Sequence, residues 1–386
     1  MGTKRELARE VSRVIASAQP GILLDAFAGM GAVAQAVGSS RNVWLNDAQR
    51  FAQLTAKCNF TAAKGPPPPK AVDAAWKASF NRNIDRIVAM NSELIEQDAA
   101  VRGSSEWIQF SKGYEKLLEI QAVETDYSCF LTRYGRGFFS VYQAAEIDSI
   151  RCAIDDAKKR GDIGDDQWGW SIVSLGRACL KAANTPGHFA QYLSPSERNY
   201  KRVRKQWNRS IWQEWLDGLN NLSPTGTAKW RKSNIVTNKD CLELLDDPFC
   251  KNAKVVYCDP PYTNDHYSRY YHVWETLVDY DYPEVTGAGR YRPDRFATPF
   301  SLKTQVVNAM DSLIKKISLN GADMVLSYPS NGLIYETGND PIDLLVKYFS
   351  KVSVECDIDH NHSTFGASKG SAKSAVRERI YLASNS

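Results

Sequence analysis

Gly21-Ile22-Leu23-Leu24-Asp25-Ala26-Phe27-Ala28-Gly29-Met30-Gly31 is the stretch on which the fold turns. Its apolar half is a short run closed by glycines, the pattern of a strand buried on both faces of a parallel sheet. A helix is expected over 5–17 before it and a short one over 31–38 after it. A second strand follows at Val43-Trp44-Leu45, ending at Asn46-Asp47, and then a helix over 48–62. This β-α-β-α series predicts an α/β fold. The alternation returns near residue 233, with strands expected at 234–236, 254–258, 322–327, 352–354 and 379–382. The whole reads as a Rossmann-like sheet of about seven strands.

Between the two halves the character changes. Lys64-Gly65-Pro66-Pro67-Pro68-Pro69 favours polyproline II and reads as a linker. Residues 70–230 are rich in Ala, Trp, Arg, Lys and Glu, with helical periodicity near 70–98, 105–122, 141–160, 166–184 and 196–221. An aromatic stretch over 127–142 interrupts them. The expected organisation is an α/β domain made of 1–65 and 233–386, with a helical insertion at 66–232.

The bulk properties narrow the class. At about 150 residues per domain, 386 residues predict two domains or three. Hydrophobic residues at 43% and charged residues at 24% exclude wholesale disorder and fibrous classes. Mean hydropathy is −0.41, and no apolar run reaches the roughly 18 residues a membrane span needs. No apolar core or cleavage site follows Met1-Gly2-Thr3-Lys4-Arg5-Glu6, so no secretory signal is expected and the protein is placed in the cytoplasm. The formal charge of +4 is too small to demonstrate a polyanion partner, and the distribution of charge must decide. The 8 cysteines contain no C-x-x-C and read as buried reduced thiols rather than a zinc site. His360 and His362 lack a third obvious ligand, so no metal site is expected.

Phe27-Ala28-Gly29-Met30-Gly31 joins a strand to a helix. Glycine there permits a tight turn and a close approach of backbone to ligand, and the helix start adds positive potential. Asp47 follows Gly29 by 18 residues, at the end of the second strand, where a carboxylate can take both ribose hydroxyls of a nucleoside. Two ligands satisfy this geometry, a dinucleotide and S-adenosylmethionine. Ala34 stands where the dinucleotide fingerprint has its third glycine.

Asp259-Pro260-Pro261-Tyr262 carries more information. It follows directly on the strand at 254–258, and in an open α/β sheet that position faces the ligand crevice. The prolines fix the backbone and remove two N–H donors while their carbonyls stay free to accept. A carboxylate and a carbonyl are thereby held beside an aromatic ring. The amino group of adenine is a poor nucleophile because its lone pair is delocalised into the ring. Two acceptors, the Asp259 carboxylate and the Pro260 carbonyl, can bind its two N–H groups and localise that pair toward a methyl donor. Tyr262 can stack on the base once it has left the helix. With a sulfonium as electrophile, catalysis becomes positioning plus electrostatics.

With both motifs in place, the chain resembles the DNA adenine methylase group of S-adenosylmethionine-dependent amino-methyltransferases, with the cofactor motif first, a target-recognition insertion next and the catalytic tetrapeptide after it. The resemblance implies a Rossmann-like methyltransferase sheet, S-adenosylmethionine as cofactor, N6 of a flipped adenine in duplex DNA as target, and a cognate restriction endonuclease as a partner to look for. It implies roles for Asp25 and Phe27, Ala28, Gly29 and Gly31 at the methionine part of the cofactor, for Asp47 at the ribose, and for Asp240 at the cofactor's adenine. Lys4, in Gly2-Thr3-Lys4-Arg5, resembles the lysine that meets the methionine carboxylate, although the aromatic residues usual just upstream are absent. The stretch 324–332 (MVLSYPSNG) resembles a later pocket motif or serves as a core strand with its turn.

Within the insertion, Arg198, Lys201, Arg202 and Lys205 share one face at helical spacing in a segment without acids, and inside a methyltransferase insertion they are expected to contact phosphate. Arg133 and Arg136, and Arg290 and Arg292, lie in two glycine-containing stretches and are expected to read base edges or phosphates. Tyr262, Tyr267, Tyr270 and Tyr271 are candidates for the wall of a base pocket. The alternatives are transfer to N4 of cytosine in DNA or N6 of adenine in RNA, a dinucleotide oxidoreductase, and a non-catalytic nucleic-acid-binding protein. The oxidoreductase leaves the tetrapeptide unexplained, and intact motifs at both sites argue against loss of catalysis.

Overall fold

A computed structural model describes residues 5–101, 103–111, 125–361 and 375–385. The chain forms two compact units, one from Met1–Ala63, Pro224–Ser268 and Phe296–Ser386, the other from Lys64–Ser223 and Arg269–Arg295.

The first unit is built on a seven-stranded sheet of order β3-β2-β1-β4-β5-β7-β6. The strands are β1 (Ile22–Asp25), β2 (Val43–Asn46), β3 (Ile235–Thr237), β4 (Ala253–Cys258), β5 (Asp323–Pro329), β6 (Lys351–Asn361) and β7 (Ala375–Ser384). The first five are parallel, and β7 enters antiparallel between β5 and β6. The apolar runs are continuous because both faces are covered. Leu23, Val255 and Val325 pack on one face, where residues of the helix Arg5–Ser17 join them. Leu24, Val256, Met324 and Leu326 point the other way, into a core shared with the helix Val306–Leu319. Successive side chains alternate between two dry layers, as the two-residue period of a strand requires.

From β1 the chain runs outward through β2 and β3, then returns to place β4 on the other side of β1. Between β1 and β4 the strand order reverses, and in such sheets ligands bind beyond the carboxyl ends of the strands at that point. Both motifs sit there, one after β1 and one after β4.

The second unit is helical. Its centre is the helix Val141–Lys159, buried around most of its circumference through Ile154 and opened by a capping box between Ser140 and Gln143. Around it lie Pro69–Met90, Asp165–Ala182 and Ile211–Asn220. The proline stretch differs from the linker expected of it. Pro69 opens a helix, because at the first helical position a missing N–H and a fixed φ cost nothing. The segment expected to be one helix over 196–221 is two, Glu197–Trp207 and Ile211–Asn220, with Ser210 capping the second. A helix at Cys129–Tyr134 occupies part of the aromatic stretch.

Residues 269–295, expected to belong to the α/β domain, form part of the second unit. Polar groups fasten them. The Tyr280 hydroxyl donates to Asp148, the Arg151 guanidinium donates to the Leu277 carbonyl, and the Nε of Arg133 donates to the Pro283 carbonyl at 2.9 Å. Among the described residues no helix is long and apolar enough to cross a membrane. The eight cysteines are free thiols, six of them buried.

Candidate active site

Register brings the acids together. On β1, Asp25 lies opposite Leu45 of β2 and Tyr257 of β4, and Asp47 and Asp259 each follow two residues later. Three carboxylates from three adjacent strands therefore meet at the carboxyl edge of the sheet. Asp25 is 2% exposed, and its Oδ1 has no hydrogen-bond partner. Burial, then Asp259 and Asp47, push its carboxyl up to about 8, against the Phe27 N–H that favours the anion.

The turn after β1 is held by backbone bonds. Ala28 donates to the Asn46 carbonyl at 2.9 Å, and Gly31 donates back to Ala28 at 2.8 Å. Gly29 and Gly31 both have positive φ, 49° and 74°. A Cβ on Gly31 would lie 2.5 Å from the Phe60 ring, whereas one on Gly29 would meet nothing within 4 Å. Gly31 thus serves packing, and Gly29 borders open space where a ligand can approach the backbone. The Gly29 N–H donates to Asp47 Oδ2 at 2.9 Å, and Gln49 donates to Oδ1 at 2.8 Å. Burial raises the Asp47 carboxyl above its ordinary range, while these two N–H groups pull it down. Each oxygen keeps a lone pair for one further donor.

Asn46 is a positioning residue that its sequence context did not reveal. Its buried amide donates to the carbonyls of Ala26 (3.3 Å) and Lys239 (3.0 Å) and accepts from the Thr237 hydroxyl and the Lys239 N–H. It therefore ties the ends of β1, β2 and β3 together. A polar residue closing an apolar strand beside an acid was the only available signal. Asp240 follows in the same loop and caps the helix Cys241–Asp246, accepting from Leu242 at 2.8 Å.

Past β4, Pro260 is buried, and Tyr262 is partly buried against the core of the sheet. The Tyr262 carbonyl accepts from Leu333 at 3.0 Å, joining the tetrapeptide to the turn that follows β5. Within the stretch 324–332, residues up to Pro329 belong to the buried strand β5, and the donor Leu333 follows directly after the stretch. Tyr267 meets the Tyr262 ring edge-on at 6.2 Å, and Phe300 meets Phe27 in the same way at 5.5 Å. In the second unit, Tyr270 packs on His188 and Tyr271 on Trp274. Lys4 and His362, and the side chain of His360, lie outside the described residues.

The candidate nucleic-acid residues of the second unit separate into two kinds. Arg198, Lys201, Arg202 and Lys205 are exposed on the helix Glu197–Trp207, while Val203 and Trp207 turn inward. Arg202 also donates to the Thr185 carbonyl at 2.7 Å. Arg136 and Arg292 differ from expectation. The Arg136 side chain is 0% exposed and pairs with Asp98 at 3.0 Å. Arg292 is 5% exposed and is held by Asp281 at 2.7 Å and Asp294 at 2.9 Å. Reading a base with Arg136 would break a buried ion pair, which costs about 3–5 kcal/mol, and Arg292 would have to leave two carboxylates that are themselves partly exposed. Arg290 is buried too and donates to the Arg133 carbonyl, which leaves Arg133 as the partly exposed member of the four.

Comparison with known proteins agrees with this geometry. Residues 220–328, which include the tetrapeptide, match the family described as D12 class N6 adenine-specific DNA methyltransferase. The chain is 24% identical over 318 residues to the modification methylase LlaI of Lactococcus lactis subsp. lactis, covering 79% of this chain and 46% of that protein. It is 28% identical over 227 residues to the Type II methyltransferase M.FokI of Planomicrobium okeanokoites, covering 57% of this chain and 32% of the relative. To the modification methylase StsI of Streptococcus sanguinis it is 23% identical over 358 residues, covering 91% and 46%. The chain thus spans about half or less of the length of these relatives. The resemblance to adenine-specific DNA methyltransferases drawn from the motifs is borne out.

Proposed function

We propose that this chain, related through residues 220–328 to the D12 class N6 adenine-specific DNA methyltransferases, transfers a methyl group from S-adenosylmethionine to N6 of a flipped adenine at a specific site in duplex DNA. One observation carries the reading. The glycine turn with its acids and the Asp259–Tyr262 tetrapeptide stand side by side at the point where the strand order reverses.

The residues fit the cofactor. Gly29 leaves open space at the turn, Asp47 keeps two acceptor positions suited to ribose hydroxyls, and Asp25 offers a buried, unpartnered oxygen at the methionine end. Asp240 remains assigned to the cofactor's adenine and Lys4 to its carboxylate, with Phe27 and Ala28 lining the turn. S-adenosylmethionine, when bound, supplies an electrophilic methyl group on a sulfonium. The Asp259 carboxylate and the Pro260 carbonyl accept the two N–H groups of the target amine, Pro261 holds their spacing, and Tyr262 stacks on the extruded base. Incubating the protein with S-adenosylmethionine and duplex DNA should yield N6-methyladenine, read by mass spectrometry of the digested DNA. Methylation found only on cytosine or only on RNA would overturn the assignment.

The exposed face of Arg198, Lys201, Arg202 and Lys205 is assigned to the phosphate backbone, and Arg133 to base reading. Phosphate contacts hold register without reading sequence. Replacing Arg202 and Lys205 by glutamine should weaken binding to cognate and scrambled duplexes alike. The slope of log affinity against log salt should flatten by about 1–2. An unchanged slope would make this face an ordinary solvated one. The names of the relatives place them among modification enzymes, and we assign this chain the same part, alongside a cognate restriction endonuclease.

A further inference from the structure

We propose that Asp25 is a proton-linked charge sensor for the cofactor: its carboxyl gives a proton to solvent when the sulfonium binds and takes one back when the neutral thioether product is left in the site. The inference rests on the reading of this crevice as an S-adenosylmethionine site.

The geometry carries it. Asp25 ends the central strand β1, is almost wholly buried, and has one carboxylate oxygen with no donor. Asp47, just past β2, and Asp259, just past β4, both act on its charge, and Asp25 in turn acts on the Tyr257 hydroxyl and the Cys258 thiol of β4. Its one favourable neighbour is the Phe27 N–H. Among the described residues, no lysine or arginine acts on Asp25 or Asp47. A buried carboxylate without a cation, beside two others, is neutralised most cheaply by a proton. The cluster holds its acid form to about pH 8, so at neutral pH Asp25 is protonated when no cation is near.

A fixed positive charge entering the crevice removes the need for that proton, and Asp25 ionises. Methyl transfer then breaks the carbon–sulfur bond and forms a carbon–nitrogen bond. The positive charge passes to the adenine nitrogen and leaves from there as an N6 proton. Sulfur is left neutral, so Asp25 again faces two acids without a cation and recovers a proton from solvent. The donor thereby gains an attraction that the product loses. Linkage gives the sign. Below about pH 8 donor binding must release a proton, so its affinity rises with pH and levels off above that value. Product binding lacks this term.

Calorimetry tests this with the full chain, S-adenosylmethionine and S-adenosylhomocysteine, at pH 7 in phosphate and in Tris. The buffer-dependent part of the heat counts protons. For wild type minus Asp25→Asn, which cancels any proton from the ligand's own amino group, about one proton should be released with the donor and about none with the product. Between pH 6 and 8 the wild-type ratio of donor to product affinity should rise about tenfold per pH unit. That profile needs no variant and stands even if Asp25→Asn folds poorly. Equal proton counts for the two ligands, or a ratio independent of pH, would overturn the sensor while leaving the cofactor assignment intact. Failure of both ligands to bind would overturn the assignment and the sensor together.

Discussion

Asp259→Ala is expected to lower methyl transfer to adenine by about 10²–10³-fold, the loss seen when a preorganised polar group facing the reacting centre is removed. In the proposed mechanism the carboxylate is one of two acceptors for the target amine, and nothing else in the tetrapeptide can replace it. Pro261 sits on a backbone already fixed by its neighbour, and Tyr262 uses its carbonyl to accept from Leu333. Asp259 itself is partly exposed at the end of β4, so its loss leaves the sheet's two dry layers untouched and the melting temperature close to wild type. Asp259→Asn keeps one acceptor oxygen and should retain more activity than alanine. Mass spectrometry of digested substrate DNA measures both variants. Near-normal N6-methyladenine from Asp259→Ala would remove the amine-binding mechanism.

The largest effect on stability is expected at Asp148, in the second unit. This residue is 0% exposed, yet it accepts from the N–H groups of Phe130 and Leu131, each at 2.8 Å, and from the Tyr280 hydroxyl. It opens the helix Cys129–Tyr134 and fastens residues 269–295 in one arrangement. Burial pushes its carboxyl up to about 7, and these three donors oppose the shift. Asp148→Ala leaves two backbone donors and a hydroxyl buried without an acceptor, at about 1–3 kcal/mol each. With partial relaxation the sum is about 3–5 kcal/mol, at the far end of what single substitutions do. Asp148→Asn keeps an acceptor and should lose less than half as much. Urea titration followed by tryptophan fluorescence reads the difference, because the second unit holds buried Trp170 and Trp215. A shift below about 1 kcal/mol for the alanine variant would show that these donors find water instead.

Several features were legible because the chemistry is local. Leu23-Leu24, Val43-Trp44-Leu45 and Val255-Val256 announce strands covered on both sides, and all three are. Asp259-Pro260-Pro261-Tyr262 needs no partner to be recognised, since two prolines dictate their own backbone. Asp47 was singled out by its distance from Gly29 as a ribose acceptor, and in the fold the Gly29 N–H donates to its Oδ2 at 2.9 Å. Arg136 and Arg292 were not. In sequence they look like exposed arginines in glycine-containing loops, because their acids Asp98 and Asp281 are remote or unremarkable until the chain folds. Asn46 escaped for the same reason, since from the end of β2 it bonds groups at the ends of both β1 and β3.

By itself the sequence determined the kind of sheet, the two motifs that end its strands, and the chemistry those motifs can perform. Each depends on the conformational limits and hydrophobic period of a few consecutive residues. Only the tertiary structure decided which strands became neighbours. It placed β4 beside β1, carried residues 269–295 into the helical unit, and set Asp25 between Asp47 and Asp259. The physical reason is that electrostatics and desolvation act through space. A carboxyl group acquires its charge state from the groups packed around it, and those are known only once the strand order is.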